Sequence, residues 1–133
     1  MELHPMDRWH AVVRGRDSAG LDALLADDAV FLSPVVHTPQ RGKRLTAAYL
    51  AAAFQVLGQP SFRYVREIRG PSDGMLEFET ELDGVVVNGV DIIRWNTQGQ
   101  ISEFKVMIRP LKAIERVHQQ MAAMLSARQS AGG

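Results

Sequence analysis

Asp91, in the run Asn88-Gly89-Val90-Asp91-Ile92-Ile93-Arg94-Trp95, is a single carboxylate inside a segment that otherwise has the composition of a buried strand. A carboxylate in such surroundings is paired, protonated or working, because burial strips its hydration. The same loss of hydration raises its pKa toward the range where one group both takes and gives a proton. That suits enolisation, aldol closure or epoxide opening. The competing reading is structural: Asp91 pairs with Arg94 or Arg109, or accepts from a turn amide, and merely fixes the strand. Glu77, Glu79 and Glu81 share one strand face opposite Leu76, Phe78, Thr80 and Leu82, which reads as a solvated or dimer-rim surface.

Other chemistries lack their residues. The four histidines, His4, His10, His37 and His118, show no metal-ligand spacing, and neither a His-Glu-x-x-His nor a facial-triad pattern occurs, so no bound metal is expected. Gly15-Arg16-Asp17-Ser18-Ala19-Gly20 has neither the spacing nor the preceding strand of a phosphate loop, and no cofactor is expected. A Ser33, His37, Asp91 triad can be composed, but Ser33 has no nucleophile-elbow context. With no cysteine there is no thiolate nucleophile and no disulfide, which suits a cytoplasmic protein. Lys plus Arg and Asp plus Glu both number 15, so no overall field recruits nucleic acid or an anionic membrane. No signal peptide or membrane-spanning run is read from the sequence.

The elements that must position Asp91 follow from periodicity. The 133 residues read as one domain, 1–133. Met6, Trp9, His10 and Val13 fall at helical spacing, and Leu21, Leu24 and Leu25 give a second short stripe. Ala29 to Ser33 reads as a strand stopped by Pro34, Val35 to Lys43 as a loop, and Thr46 as the N-cap of a helix ending at Gly58. The period then changes to two. Strands are expected near 61–69, 75–82, 85–95 and 101–109, the middle pair joined by a type I′ turn at Asp83-Gly84. Pro110 precedes an amphipathic terminal helix through Leu111, Ile114, Val117, Met121, Met124 and Leu125, with Ser126 to Gly133 as a frayed tail. That helix packs on its own sheet or a partner subunit, or serves as a lid or docking helix.

Helices followed by a curved antiparallel sheet is an α+β plan. In Val85 to Trp95 one parity collects Gly89, Asp91, Ile93 and Trp95 and the other Val90 and Ile92, so both faces carry apolar side chains. Both are expected to be covered, one by helices and the other by a second copy of the chain, giving a homodimer through the sheet.

The segments Leu21 to Phe31, Gly89 to Trp95 and Gly99 to Phe104, in this order and spacing, resemble the nuclear transport factor 2-like superfamily and particularly its SnoaL-like polyketide cyclase branch, over roughly residues 6–109. The resemblance implies a cone-shaped barrel, a curved sheet wrapped around N-terminal helices, with a pocket at the open end and here an added C-terminal helix. It fixes fold better than reaction, because the superfamily hosts isomerases, cyclases, epoxide hydrolases, dehydratases and binding modules. Against ketosteroid isomerase the pattern breaks. The general-base position holds Ser33 and the oxyanion tyrosine falls near Val12, while the second, protonated aspartate matches Asp91. Steroid isomerisation is therefore disfavoured. In SnoaL-like cyclases an inner-sheet aspartate is the acid/base, a role that the resemblance gives to Asp91.

The resemblance also places the Val35 to Gln40 loop by the pocket mouth, where His37 would share a proton with Asp91 or orient water, unless it is a solvated loop residue. Trp9, Tyr49, Phe54, Phe62, Tyr64, Trp95 and Phe104 would wall an apolar pocket. Among the expected ligand contacts are Trp9, Ser33, Tyr49, Phe54 and Trp95. Three classes of function follow: a cofactor-free acid/base enzyme on a small apolar molecule, a ligand-binding module, and an interaction subunit whose cavity side chains fill.

Overall fold

The computed structural model describes residues 3–132. The first helix, α1 (Pro5–Gly15), opens on a proline, which is tolerated there because the first helical N–H has no intrahelical partner. Nδ1 of His4 accepts from the Met6 amide at 3.1 Å. Met6, Trp9 and Val12 form its buried stripe, with His10 and Val13 half-buried beside it. The chain leaves α1 through Arg16, whose φ of 48° is left-handed. Asp17 then caps α2 (Ser18–Leu24), accepting from the Gly20 amide at 3.0 Å.

Two boundaries differ from the sequence expectation. The strand β1 (Leu25–Leu32) begins at Leu25 and not at Ala29. Leu24 is the last buried residue of α2 while Leu25 already pairs with Ile101, so the apolar doublet straddles a helix–strand junction. The helix α3 (Lys43–Leu57) begins after Gly42, whose φ is 101°, and not at Thr46. Thr46 lies fully buried inside the helix and its hydroxyl donates to the Ala29 carbonyl at 3.2 Å, tying α3 to β1. Between them the two-residue strand β2 (Gln40–Arg41) pairs with Val30 and Phe31, within the segment read as loop.

The remaining strands, β3 (Arg63–Arg69), β4 (Asp73–Leu82), β5 (Val85–Trp95) and β6 (Ile101–Arg109), form the antiparallel meander. Asp83 and Gly84 have φ of 48° and 80°, as a type I′ turn requires. The six-stranded order is β2-β1-β6-β5-β4-β3, and β1 runs parallel to β6. The architecture is mixed α+β with a curved sheet that does not close. Burial alternates along β5, so Val85, Val87, Gly89, Asp91, Ile93 and Trp95 point into the core. On the other face Glu79 pairs with Arg63 at 2.9 Å and Glu77 with Arg66 at 3.3 Å.

The last helix, α4 (Leu111–Gly132), packs on β5, β6 and α3. Ala113 and Val117 are its buried contacts, while Leu111, placed on the apolar face by spacing, is exposed. The helix continues through Ser126 to Gly132, where a frayed tail was expected; Gly133 lies outside the described residues. No helix among the described residues is long and apolar enough to cross a membrane.

Candidate functional site

Between the concave face of the sheet and the helices lies a cavity of about 460 Å³, within the usual range for small-molecule sites. Trp9 of α1, Tyr49 and Phe54 of α3, Phe31 of β1 and Phe104 of β6 are its aromatic wall. Val117, Met121 and Leu125 bring α4 into the lining, so this helix packs on its own chain and walls the cavity at once. The exposed lining residues Arg14, Arg16, Val36, His118 and Ala122 mark the mouth.

Asp91 lines this cavity and is 6% exposed. Its carboxyl group makes no hydrogen bond or ion pair with the described residues. Arg94, one proposed partner, lies on the opposite face of β5, and Arg109 donates to Asn88 Oδ1 at 3.4 Å. The pairing that would have made Asp91 a strand fastener is therefore absent among the described residues. Burial alone pushes its pKa up to about 8. The group is thus mostly protonated at neutral pH and half ionised where mild base begins.

Tyr64 stands with it. The Trp9 indole Nε1–H donates to the Tyr64 hydroxyl at 3.0 Å, which leaves the phenolic proton directed elsewhere. Burial raises the Tyr64 pKa, and the nearby Asp91 charge raises it further, so Tyr64 is a hydrogen-bond donor at any working pH. Behind its ring, His10 packs edge-on at 5.2 Å and contacts Glu67 Oε1 through Nε2 at 2.5 Å. Arg69 continues the chain to Glu67 at 2.5 Å and Asp7 at 2.7 Å. Partial burial opposes ionisation of Glu67, but hydrogen bonds from His10 and Arg69 outweigh it and hold its pKa down. This network anchors α1 to β3 and so fixes the Trp9–Tyr64 contact.

The other sequence-derived candidates divide. Trp9, Ser33, Tyr49 and Phe54 line the cavity with Asp91. Ser33 Oγ accepts from the amides of Val35 and Val36 at 3.0 and 3.2 Å, so it caps a turn at the cavity wall. His37 is exposed and outside the lining. Trp95 is buried against His4, with ring centroids 4.9 Å apart, and does not line the cavity. The hydrogen bond of Tyr64 to Trp9 was not legible in the sequence, where Tyr64 counted only as a wall aromatic. No group of three or more His, Cys, Asp or Glu able to hold a metal occurs among the described residues.

Comparison with known proteins agrees with this fold. The family model of the SnoaL-like domain matches residues 6–104. A crystal structure of a steroid delta-isomerase from Pseudomonas aeruginosa is similar at 30% identity, covering 95% of this chain and 92% of that chain with a TM-score of 0.89. An uncharacterised bacterial protein with a cystatin-like fold from Silicibacter pomeroyi is 33% identical, covering 90% and 83% of the two chains with a TM-score of 0.82. A Mycobacterium tuberculosis protein in complex with estradiol-17β-hemisuccinate is 19% identical, covers 84% and 98%, and has a TM-score of 0.63. None of the curated proteins compared matches significantly.

Proposed function

The chain belongs to the SnoaL-like domain family of the nuclear transport factor 2-like superfamily, and from that premise we propose that it is a cofactor-free acid/base enzyme for a small, mostly apolar carbonyl compound. The observation that carries this reading is Asp91: a buried carboxyl group with its pKa near 8, free of protein partners among the described residues and open to an apolar cavity. As carboxylate, Asp91 removes a proton from the carbon beside the carbonyl. Tyr64 donates to the enolate oxygen as charge develops there, and Asp91 then returns the proton at another carbon or the enolate closes a ring. Ser33 caps a turn and His37 lies outside the lining, so both halves of the proton transfer fall to Asp91. The unit acting is residues 1–133, in the cytoplasm.

A screen of small ketones, epoxides and polyketide-like aromatics with wild type and Asp91→Asn tests the proposal. The enolising role predicts kcat/KM that rises with pH and levels off near 8, the pKa of Asp91. Turnover that survives Asp91→Asn, or shows no inflection there, removes Asp91 from the mechanism. Tyr64→Phe is expected to lower kcat by about 10- to 100-fold with little change in KM, because the lost bond strengthens only as the enolate forms. A rise in KM of that size with kcat unchanged would reduce Tyr64 to a ground-state contact.

A second reading, a non-catalytic binding module, has its own support. No second carboxyl group lines the cavity beside Asp91, and the mycobacterial structural neighbour is a ligand complex. Retention of ligand binding with no turnover across the screen would select it. An interaction subunit with a filled interior fits poorly with an open cavity of about 460 Å³.

The homodimer belongs to the same proposal. On the outer face of the sheet Ile68, Met75, Val86 and Met107 are 54%, 37%, 59% and 55% exposed, around half-buried Val90 and Ile92. Such a patch suits burial against a second copy. Met107→Glu is expected to weaken the dimer at least about tenfold, since each interface would then bury two unpaired charges. Sedimentation velocity checks this, and a wild type that sediments as a monomer ends the dimer proposal.

A further inference from the structure

Resting on the reading of the cavity as a small-molecule site, we propose that its ligand has an anionic group at one end of an apolar body, held at the cavity mouth by Arg14 and Arg16. The lining is chemically polarised. Its interior is aromatic and aliphatic around Asp91 and Tyr64, while both arginines of the lining lie among the exposed residues of the mouth. No acidic side chain besides the buried Asp91 lines the cavity, so nothing in the described lining neutralises that positive rim.

The two arginines are placed differently, and both placements need an account. Arg14, in the last turn of α1, complements the helix dipole, yet its guanidinium makes no hydrogen bond or ion pair with the described residues. Arg16 lies beyond the helix in a left-handed conformation that glycine adopts with less strain. Its Nη2 donates to the Gly58 carbonyl at 2.6 Å, which stretches the guanidinium from α1 to the end of α3. Further donors of that planar group remain for a carboxylate, sulfonate or phosphate oxygen. An anion is kept at the rim by the same interior that excludes it, because the apolar walls penalise a full negative charge at depth. The carbonyl enters, and the charged end stays in water.

Two probes sharing one ring skeleton separate this inference from the reading it rests on. Anilinonaphthalene sulfonate carries an anionic group and phenylnaphthylamine lacks it. Fluorescence titration of wild type, Arg14→Gln, Arg16→Gly and the double variant is expected to show the sulfonate binding about tenfold tighter than the amine in wild-type protein at low salt. That preference disappears in the double variant and shrinks as salt rises, while amine binding stays constant in all four proteins and reports that the fold is intact. Arg14→Gln keeps the Arg16–Gly58 bond, and glycine suits the backbone at position 16, so the singles guard against misfolding. Equal affinity for both probes in wild type, or a preference that the double variant keeps, overturns the anionic ligand and leaves the pocket standing. If neither probe binds wild-type protein, the pocket reading fails and this inference fails with it.

Discussion

Asp91→Asn is expected to make the folded protein more stable than wild type in mildly basic solution while it abolishes turnover. Burial raises the Asp91 pKa from 3.8 to about 8, so the native state holds a proton that the unfolded chain has already released. Stability from this group is therefore complete below 3.8 and is lost progressively as pH rises through about 8. Asparagine neither binds nor loses a proton in this range. The stability gap between the two proteins should widen by up to about 1.4 kcal/mol per pH unit across the window, with water drawn in at the cavity side limiting the total to roughly a few kcal/mol. Urea denaturation of both proteins over a pH series measures it directly. Parallel stability curves would mean that the carboxyl group is hydrated in solution, and the proton-transfer role would lose its physical basis. The pairing of gained stability with lost activity is what a buried functional group predicts, because a merely structural acid would destabilise on removal.

The legibility of this site in the sequence was uneven for physical reasons. Asp91 was found because a lone carboxylate among Val, Ile and Trp breaks a local pattern, and the parity of β5 placed it on the inner face. The turn at Asp83 and Gly84 was equally local, since positive φ at adjacent positions selects its own residue types. Elements whose limits depend on distant contacts were misplaced. Thr46 has the composition of an N-cap, but its hydroxyl is taken by the Ala29 carbonyl, and only the register of α3 on β1 reveals that. The parallel pairing of β1 with β6 leaves no local trace either. Tyr64 escaped for the same reason: its hydrogen bond is to Trp9, 55 residues away in sequence. His37 shows the converse, a residue type suited to catalysis on a segment whose turn, held by Ser33, directs it to solvent.

Gly89→Ala should destabilise the protein by about 1–3 kcal/mol and reach the site through three aromatic rings. A Cβ at Gly89 would lie 2.3 Å from Phe78 Cζ and within 2.9 Å of both Cε atoms. Phe78 is directly opposite on β4 and is 1% exposed. Its ring stacks on Phe62 with centroids 5.4 Å apart, and Phe62 meets Tyr64 edge-on at 5.1 Å. Glycine in a central strand weakens it, so its presence here is explained by the ring laid across it. Displacing Phe78 therefore shifts Phe62 and loosens the Tyr64 hydroxyl held by Trp9. Thermal denaturation and kcat should fall together in Gly89→Ala. Adding Phe78→Leu to that variant should restore most of the stability, because the smaller side chain makes room for the methyl group; an additive loss in the double variant would show the two residues to be uncoupled. Activity should recover less than stability, since leucine gives Phe62 no ring to stack on and the position of Tyr64 depends on that contact.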